Sequence, residues 1–319
     1  MAKDISLAGA GLPPGGIQLP DGAGSLGNSL FGCDVNRCYV TNNNYPLTNH
    51  LFGMIPNPST GQSVRTTTGG LGPATDVVTM AYTDTSFRLN YYTVGMNAAG
   101  TSVTFALPNP LPNPLPANWP PQAVNDPGVG LKVGDLVMLS NTVGQAVGEV
   151  TNVSNAGAVT TVSFASPDTL NFNQSGAAGG NFASIANGGG AATPTTVAYR
   201  LLVITYYVDT PPGVDGVRFT ADDGPPRLMR QVNGQTPVPV AENISGLQAT
   251  YDIFDDVAGT GVAGLRDAGM STGKSPNQIR KVNLVVSTRS PLQGGVGYQS
   301  LNLATSVSAR DMSFKDRYN

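Results

Sequence analysis

Histidine occurs once in these 319 residues, tryptophan once and cysteine twice, and only 12% of the chain is charged. Each scarcity removes a class of chemistry. A serine or cysteine nucleophile needs a positioned base. The single His50 stands in a stretch rich in Asn and Pro, with no nucleophile motif beside it, and reads as an exposed loop imidazole. A zinc site draws on roughly four Cys, His or carboxylate donors, more than His50 and a close cysteine pair supply. The formal net charge is -3 and the basic residues are scattered, so no surface is set up to attract a phosphate backbone or an anionic membrane. No window approaches the roughly 20 consecutive apolar residues of a transmembrane helix, and no charged, apolar, small-residue signal peptide is visible.

Glycine (40 residues), proline (25) and short polar residues fill the chain instead, around apolar runs of strand length. That balance is typical of loop-rich β proteins. Leu247, Ala249, Tyr251 and Ile253 alternate with polar or small residues; Val282, Leu284 and Val286 do the same, as do Leu301, Leu303, Thr305, Val307 and Ala309. Period two places one apolar face of each strand against a core. The run from Arg227 to Asp311 therefore reads as successive strands of one antiparallel sheet in need of a cover. Tyr199 to Val208 is different, with apolar residues at both parities, and predicts a strand covered on both faces.

At the amino terminus Met1, Ile5 and Ala8 fall at i, i+4 and i+7, one stripe of a helix, with Lys3 and Asp4 off the stripe and Gly9 placed to end it. So short a helix does not persist alone in water, because nucleation outweighs its few hydrogen bonds.

The fold class predicted is α+β, mostly β. Residues 1–9 form the end of a helix, 10–74 a Gly-, Pro- and Asn-rich surface excursion, and 75–128 the first sheet strands with a proline-rich strap. Residues 129–190 form an inserted small β-barrel-like subdomain, and 191–319 the main antiparallel sheet. Phe87 to Val94 and Ser102 to Leu107 are expected as hairpin partners of Asp76 to Asp84. Leu107-Pro-Asn-Pro-Leu-Pro-Asn-Pro-Leu-Pro reads as an extended polyproline strap. In the insertion, strands are expected around 131–139, 146–153 and 158–165.

Two acidic loops, Asp209, Asp215, Asp222 and Asp223, then Asp252, Asp255 and Asp256, carry oxygen donors that calcium accepts. Neither has the ordered spacing of an EF-hand. They read as solvated turns, with Asp209, Asp215, Asp222 and Asp223 as weak calcium candidates. The glycines of 176–190 lack the Gly-Lys-Ser/Thr ending of a phosphate cradle. Nothing nominates a pair of carboxylates for acid–base work, and Trp119 beside Pro120 reads as packing. The chain reads as a non-enzyme with no cofactor and no small-molecule substrate.

Nearly everything from Arg227 to Asp311, together with Leu201 to Tyr207, resembles PilW-type minor pilins, the former their carboxy-terminal part, and the first dozen residues resemble the end of the long amino-terminal helix of those proteins. The carriers are Met1-Ala-Lys-Asp-Ile-Ser-Leu-Ala-Gly-Ala-Gly, Arg227-Leu-Met-Arg-Gln-Val-Asn-Gly and Leu247-Gln-Ala-Thr-Tyr-Asp. Residues 10–190 match less specifically. The resemblance implies a structural subunit of type IV pilus assembly, priming or tip function, lacking here its leader and most of the long amino-terminal helix. Met1 would then be an internal methionine. It implies packing of Met1, Ile5 and Ala8 on Leu247, Tyr251, Val282, Leu284, Leu301 and Leu303. The partners implied are other minor pilins or pilin subunits and, through the missing helix, the inner-membrane assembly machinery; no nucleic acid is among them. Location would be inner membrane, periplasm and extracellular pilus. In such an exported chain Cys33 and Cys38 would close a local disulfide, worth about 2 kcal/mol and stiffening a surface loop. The alternatives are a minor pseudopilin of a type II secretion system, and a β-rich extracellular adhesin or carbohydrate-binding protein using Trp119, Tyr91 and Tyr92.

Overall fold

The structure, a computed structural model, describes residues 1–20, 50–66, 70–186, 195–255, 259–266, 274–290, 299–309 and 312. It is mostly β, with short helices. Chain order runs α1 (Ala2–Leu7), β1 (Ile17–Gln18), β2 (His50–Leu51), β3 (Met54–Asn57), β4 (Ser63–Arg65), β5 (Leu71–Ala74) and β6 (Val77–Thr83). It continues through β7 (Thr93–Met96), β8 (Ser102–Ala106), β9 (Leu136–Ser140), β10 (Gln145–Glu149), β11 (Asn152–Ala156), β12 (Val159–Ser163) and α2 (Phe182–Ala186). Then come β13 (Val197–Asp209), β14 (Arg227–Val232), β15 (Val238–Glu242), β16 (Ile244–Asp255), β17 (Thr260–Leu265), β18 (Ile279–Arg289) and β19 (Ser300–Ser308).

β13 organises the molecule. Leu201 pairs with Thr83 and Leu136, and Ile204 with Met80 and Val232, so β6 lines one edge of β13 while β9 and β14 follow one another along the other. Asn233 fills the gap between these last two: its backbone N–H donates to the Val203 carbonyl at 2.7 Å, and its Oδ1 accepts from the Val203 N–H at 2.9 Å. It does so at φ 50°, a left-handed conformation that Asn tolerates. With β3, β10 and β15 this makes a seven-stranded antiparallel sheet. Both faces of β13 are covered, as its pattern requires. Leu201 and Val203 enter a core with Ile17, Leu51, Phe52 and Phe172, whereas Ile204, Tyr206 and Val208 enter one with Ile5, Leu247, Tyr251 and Val282.

The second of those cores lies between this sheet and a four-stranded sheet of order β17-β16-β18-β19. Arg227 to Asp311 is thus divided, contrary to the single sheet expected. β14 pairs with β13 and β15 with β14, and the chain changes sheet at Asn243, which sits at φ 59°. Alternation along each strand is the same in either sheet, so periodicity alone does not reveal the switch.

Other expectations are also revised. Phe87 to Val94 and Ser102 to Leu107 are not hairpin partners of β6. Thr93–Met96 and Ser102–Ala106 pair with each other, and β8 pairs with β12, in a separate four-stranded sheet. The edges of β6 are taken instead by β3 and β13, which leaves no place for a hairpin. The 129–190 segment forms no closed barrel among the described residues. Its first hairpin, β9 and β10, joins the large sheet, since Leu136-Val137-Met138-Leu139 is apolar at both parities and needs cover on both faces. Only β11 and β12 go to the separate sheet. The described parts of 10–74 are not a surface excursion: Ile17, Leu19, Leu51, Phe52, Met54, Ile55 and Val64 are buried. The proline strap bends at Asn109-Pro110 and again at Asn113-Pro114 rather than running straight. It is fastened where Trp119 stacks on Tyr91 (6.3 Å between centroids, 24° between planes) and Arg88 donates to the Ala117 carbonyl at 2.9 Å. Cys33, Cys38 and Asp256 lie outside the described residues. Among those described, no helix is long and apolar enough to cross a membrane.

Candidate functional site: the helix-to-sheet junction

The six-residue α1 is held by its neighbours, since its own hydrogen bonds are too few. Ile5 and Ala8 are fully buried in the core that contains Leu247, Tyr251, Val282 and Leu284, with Met1 partly buried against it. These seven residues of the expected packing set meet there. After the helix, the Gly9 N–H donates to the Ala81 carbonyl and the Thr83 N–H to the Ala10 carbonyl, both at 2.9 Å. The chain thus continues along β6 beyond the end of β3. Gly9 has φ 84°, and a Cβ on Gly53 would stand 2.5 Å from the Gly9 Cα, so both positions require glycine.

Asp4, expected on the outer side of the helix, is buried (7% exposed). Its carboxylate accepts from the Tyr82 hydroxyl at 2.7 Å, the Tyr206 hydroxyl at 2.6 Å and Arg230 Nε at 3.2 Å. Burial pushes its pKa up, but the three hydrogen bonds and the Arg230 charge outweigh this and hold it below the ordinary carboxylate value. Burial and the Asp4 carboxylate raise both tyrosines. Asp4 therefore fixes α1 to β6, β13 and β14 at once. The residue types were visible in the sequence; their convergence was not.

Leu301 and Leu303 do not join this junction and remain 59% and 55% exposed. They lie opposite Thr288 and Val286, toward the end of the sheet away from Val307, which does pack against the core. A second buried carboxylate, Asp76, ties the two sheets together by accepting from the Ser59 and Ala249 N–H groups, each at 2.7 Å, and from Arg266 at 2.9 Å.

The acidic loop is committed internally. Asp209 accepts from Arg218 at 2.6 Å and Arg227 at 3.1 Å. Asp215 accepts from the Val217 N–H, Asp222 from Thr220 and Asp223 from the Phe219 N–H. Among the described residues no group of three His, Cys, Asp or Glu side chains is placed to hold a metal. His50 is half-buried in the β1–β2 ladder, its ring 6.2 Å from that of Phe52, and so differs from the exposed loop imidazole expected. A groove of about 340 Å³ runs between β4–β5 and the polar face of the four-stranded sheet, lined by Arg65, Thr66, Gln248, Arg289 and Asn302 among others.

No family model, no curated protein and no solved structure matches this chain.

Proposed function

We propose that this chain is a minor-pilin-like structural subunit that takes part in assembly, priming or tip function of a type IV pilus. The supporting observation is the junction: eight residues with too little helix to stand alone are built into the core between two sheets, and a buried carboxylate fixes their orientation. Such a mount suits a subunit that works by holding a helix rigidly to a β-rich head, and its mechanism is assembly rather than bond chemistry. The resemblance of the first dozen residues and of Arg227 to Asp311 to PilW-type proteins points the same way. In an inner-membrane and extracellular setting the partners would be other minor pilins.

Co-purification with other minor pilins expressed together with this chain tests the reading. Specific, saturable association is expected, and an Asp4→Ala variant that still folds should weaken it. Association with pseudopilins alone would assign the subunit to a type II secretion system. Saturable glycan binding with no pilin-like partner would overturn the proposal in favour of the adhesin.

A further inference from the structure

We propose that β19 is a pairing edge through which two copies of this chain join, antiparallel, into one continuous sheet. β19 is the outer strand of its sheet among the described residues, paired with β18 alone. Its nine residues, Ser-Leu-Asn-Leu-Ala-Thr-Ser-Val-Ser, contain no charge, proline or glycine, and the register from Ser300 opposite Arg289 to Ser308 opposite Lys281 runs without a bulge. Eight of the nine are exposed. Long, regular, uncharged edges are what soluble proteins ordinarily avoid, because the free N–H and C=O groups template another strand.

The outer strands β15 and β17 are guarded. β15 contains Pro239 and a register shift opposite Leu228 and Met229. β17 has a shift opposite Tyr251 and Ile253, and Gly264 at φ 72°. β19 has neither device, and it adds two leucines more than half exposed on one face.

The chemistry such an edge selects is its own. A charged strand gains no ion pair there, whereas an uncharged strand with apolar residues at alternate positions adds both backbone hydrogen bonds and leucine contacts. A second β19 meets that description without like charges facing each other, and a net charge of -3 over 319 residues gives little repulsion at longer range. Two-fold antiparallel pairing centred on Asn302 sets Leu301 of each copy against Leu303 of the other, covering all four leucines together.

Sedimentation of the whole chain over a concentration series tests the proposal. A monomer–dimer equilibrium is expected. Leu303→Lys should weaken it on the order of tenfold or more by setting two cations beside the shared leucines. Because Leu303 is exposed, the variant should keep the parent's circular dichroism and, at concentrations where both are monomeric, its unfolding midpoint. In the same register, and with Cys33 and Cys38 replaced by Ser, Asn302→Cys should give an interchain disulfide under mild oxidation that the same double variant with Asn302 retained does not form. A chain monomeric at every concentration overturns the proposal, as does a dimer that Leu303→Lys leaves intact. Monomers that associate only with a different pilin-like subunit overturn the second-copy assignment and leave the pilus reading standing.

Discussion

β13 and β19 are both long antiparallel strands, and they lie at opposite extremes of the molecule. β13 has strands along both edges and apolar cores on both faces. Among the described residues β19 has one partner strand, and its leucines are more than half exposed. The apolar content of a strand states which faces prefer to be covered; whether cover is supplied depends on what packs there. For β13 the helix, the second sheet and the β1–β2 region supply it. For β19 the core stops at Val307 and Val286, and among the described residues nothing covers the larger part of Leu301 and Leu303.

The largest test of this contrast is truncation in each strand. Ile204→Ala, at a fully buried position, should destabilise the fold by about 2–5 kcal/mol, read from the urea midpoint. Equal losses for Ile204→Ala and Leu303→Ala would show that β19 is covered in solution even in the monomer.

Next in size is Asp4→Ala, which leaves Tyr82, Tyr206 and partly exposed Arg230 without their shared acceptor. A loss of about 2–3 kcal/mol is expected at neutral pH. Because the folded pKa of Asp4 is lowered, its contribution is present above the unfolded value of 3.8 and is lost as pH falls through the folded value. The difference between parent and variant should therefore shrink in acid. A constant difference down to the acid transition would mean that the carboxylate does not act through its charge.

A third prediction concerns the β10 end of the large sheet. Glu149 accepts from the Leu170 N–H at 2.6 Å, and Asn173 bonds its backbone on both sides. Burial first, and then the neighbouring Asp168 carboxylate, raise its pKa to about 7 from 4.5. Here the folded state holds the proton more tightly than the unfolded state. The stabilisation is therefore complete below pH 4.5 and declines as pH rises to about 7. Glu149→Gln keeps an acceptor for Leu170 without the charge and should flatten the slope of stability against pH in that window. An unchanged slope would place the titration elsewhere.

Smallest is Leu303→Ala, expected to change monomer stability by no more than about 0.5 kcal/mol. Measured under monomeric conditions, it sharpens the contrast with Ile204.

Much of the fold was legible. The double-sided character of Tyr199 to Val208, the buried parity of Leu247 to Ile253 and the stripe of Ile5 and Ala8 follow from spacing alone, because side-chain direction is a local property of the backbone. Asp4 was not legible, because its burial depends on partners 78, 202 and 226 residues away. Nor was the membership of β9 and β10 in the large sheet, since strands of one pattern can pair with any edge of matching register. The exposed Leu301 and Leu303 fall in the same class.

By itself the sequence determined the mostly β character, the scarcity of groups for nucleophilic or zinc chemistry, and the apolar face of each regular strand; these depend on residue type and on neighbours two to four positions away. Tertiary structure decided which strands share a sheet, where the core ends, and that an aspartate on a six-residue helix becomes its anchor. Those outcomes depend on long-range contacts, in which distant segments compete for the same edges and surfaces, and no local pattern records which of them prevails.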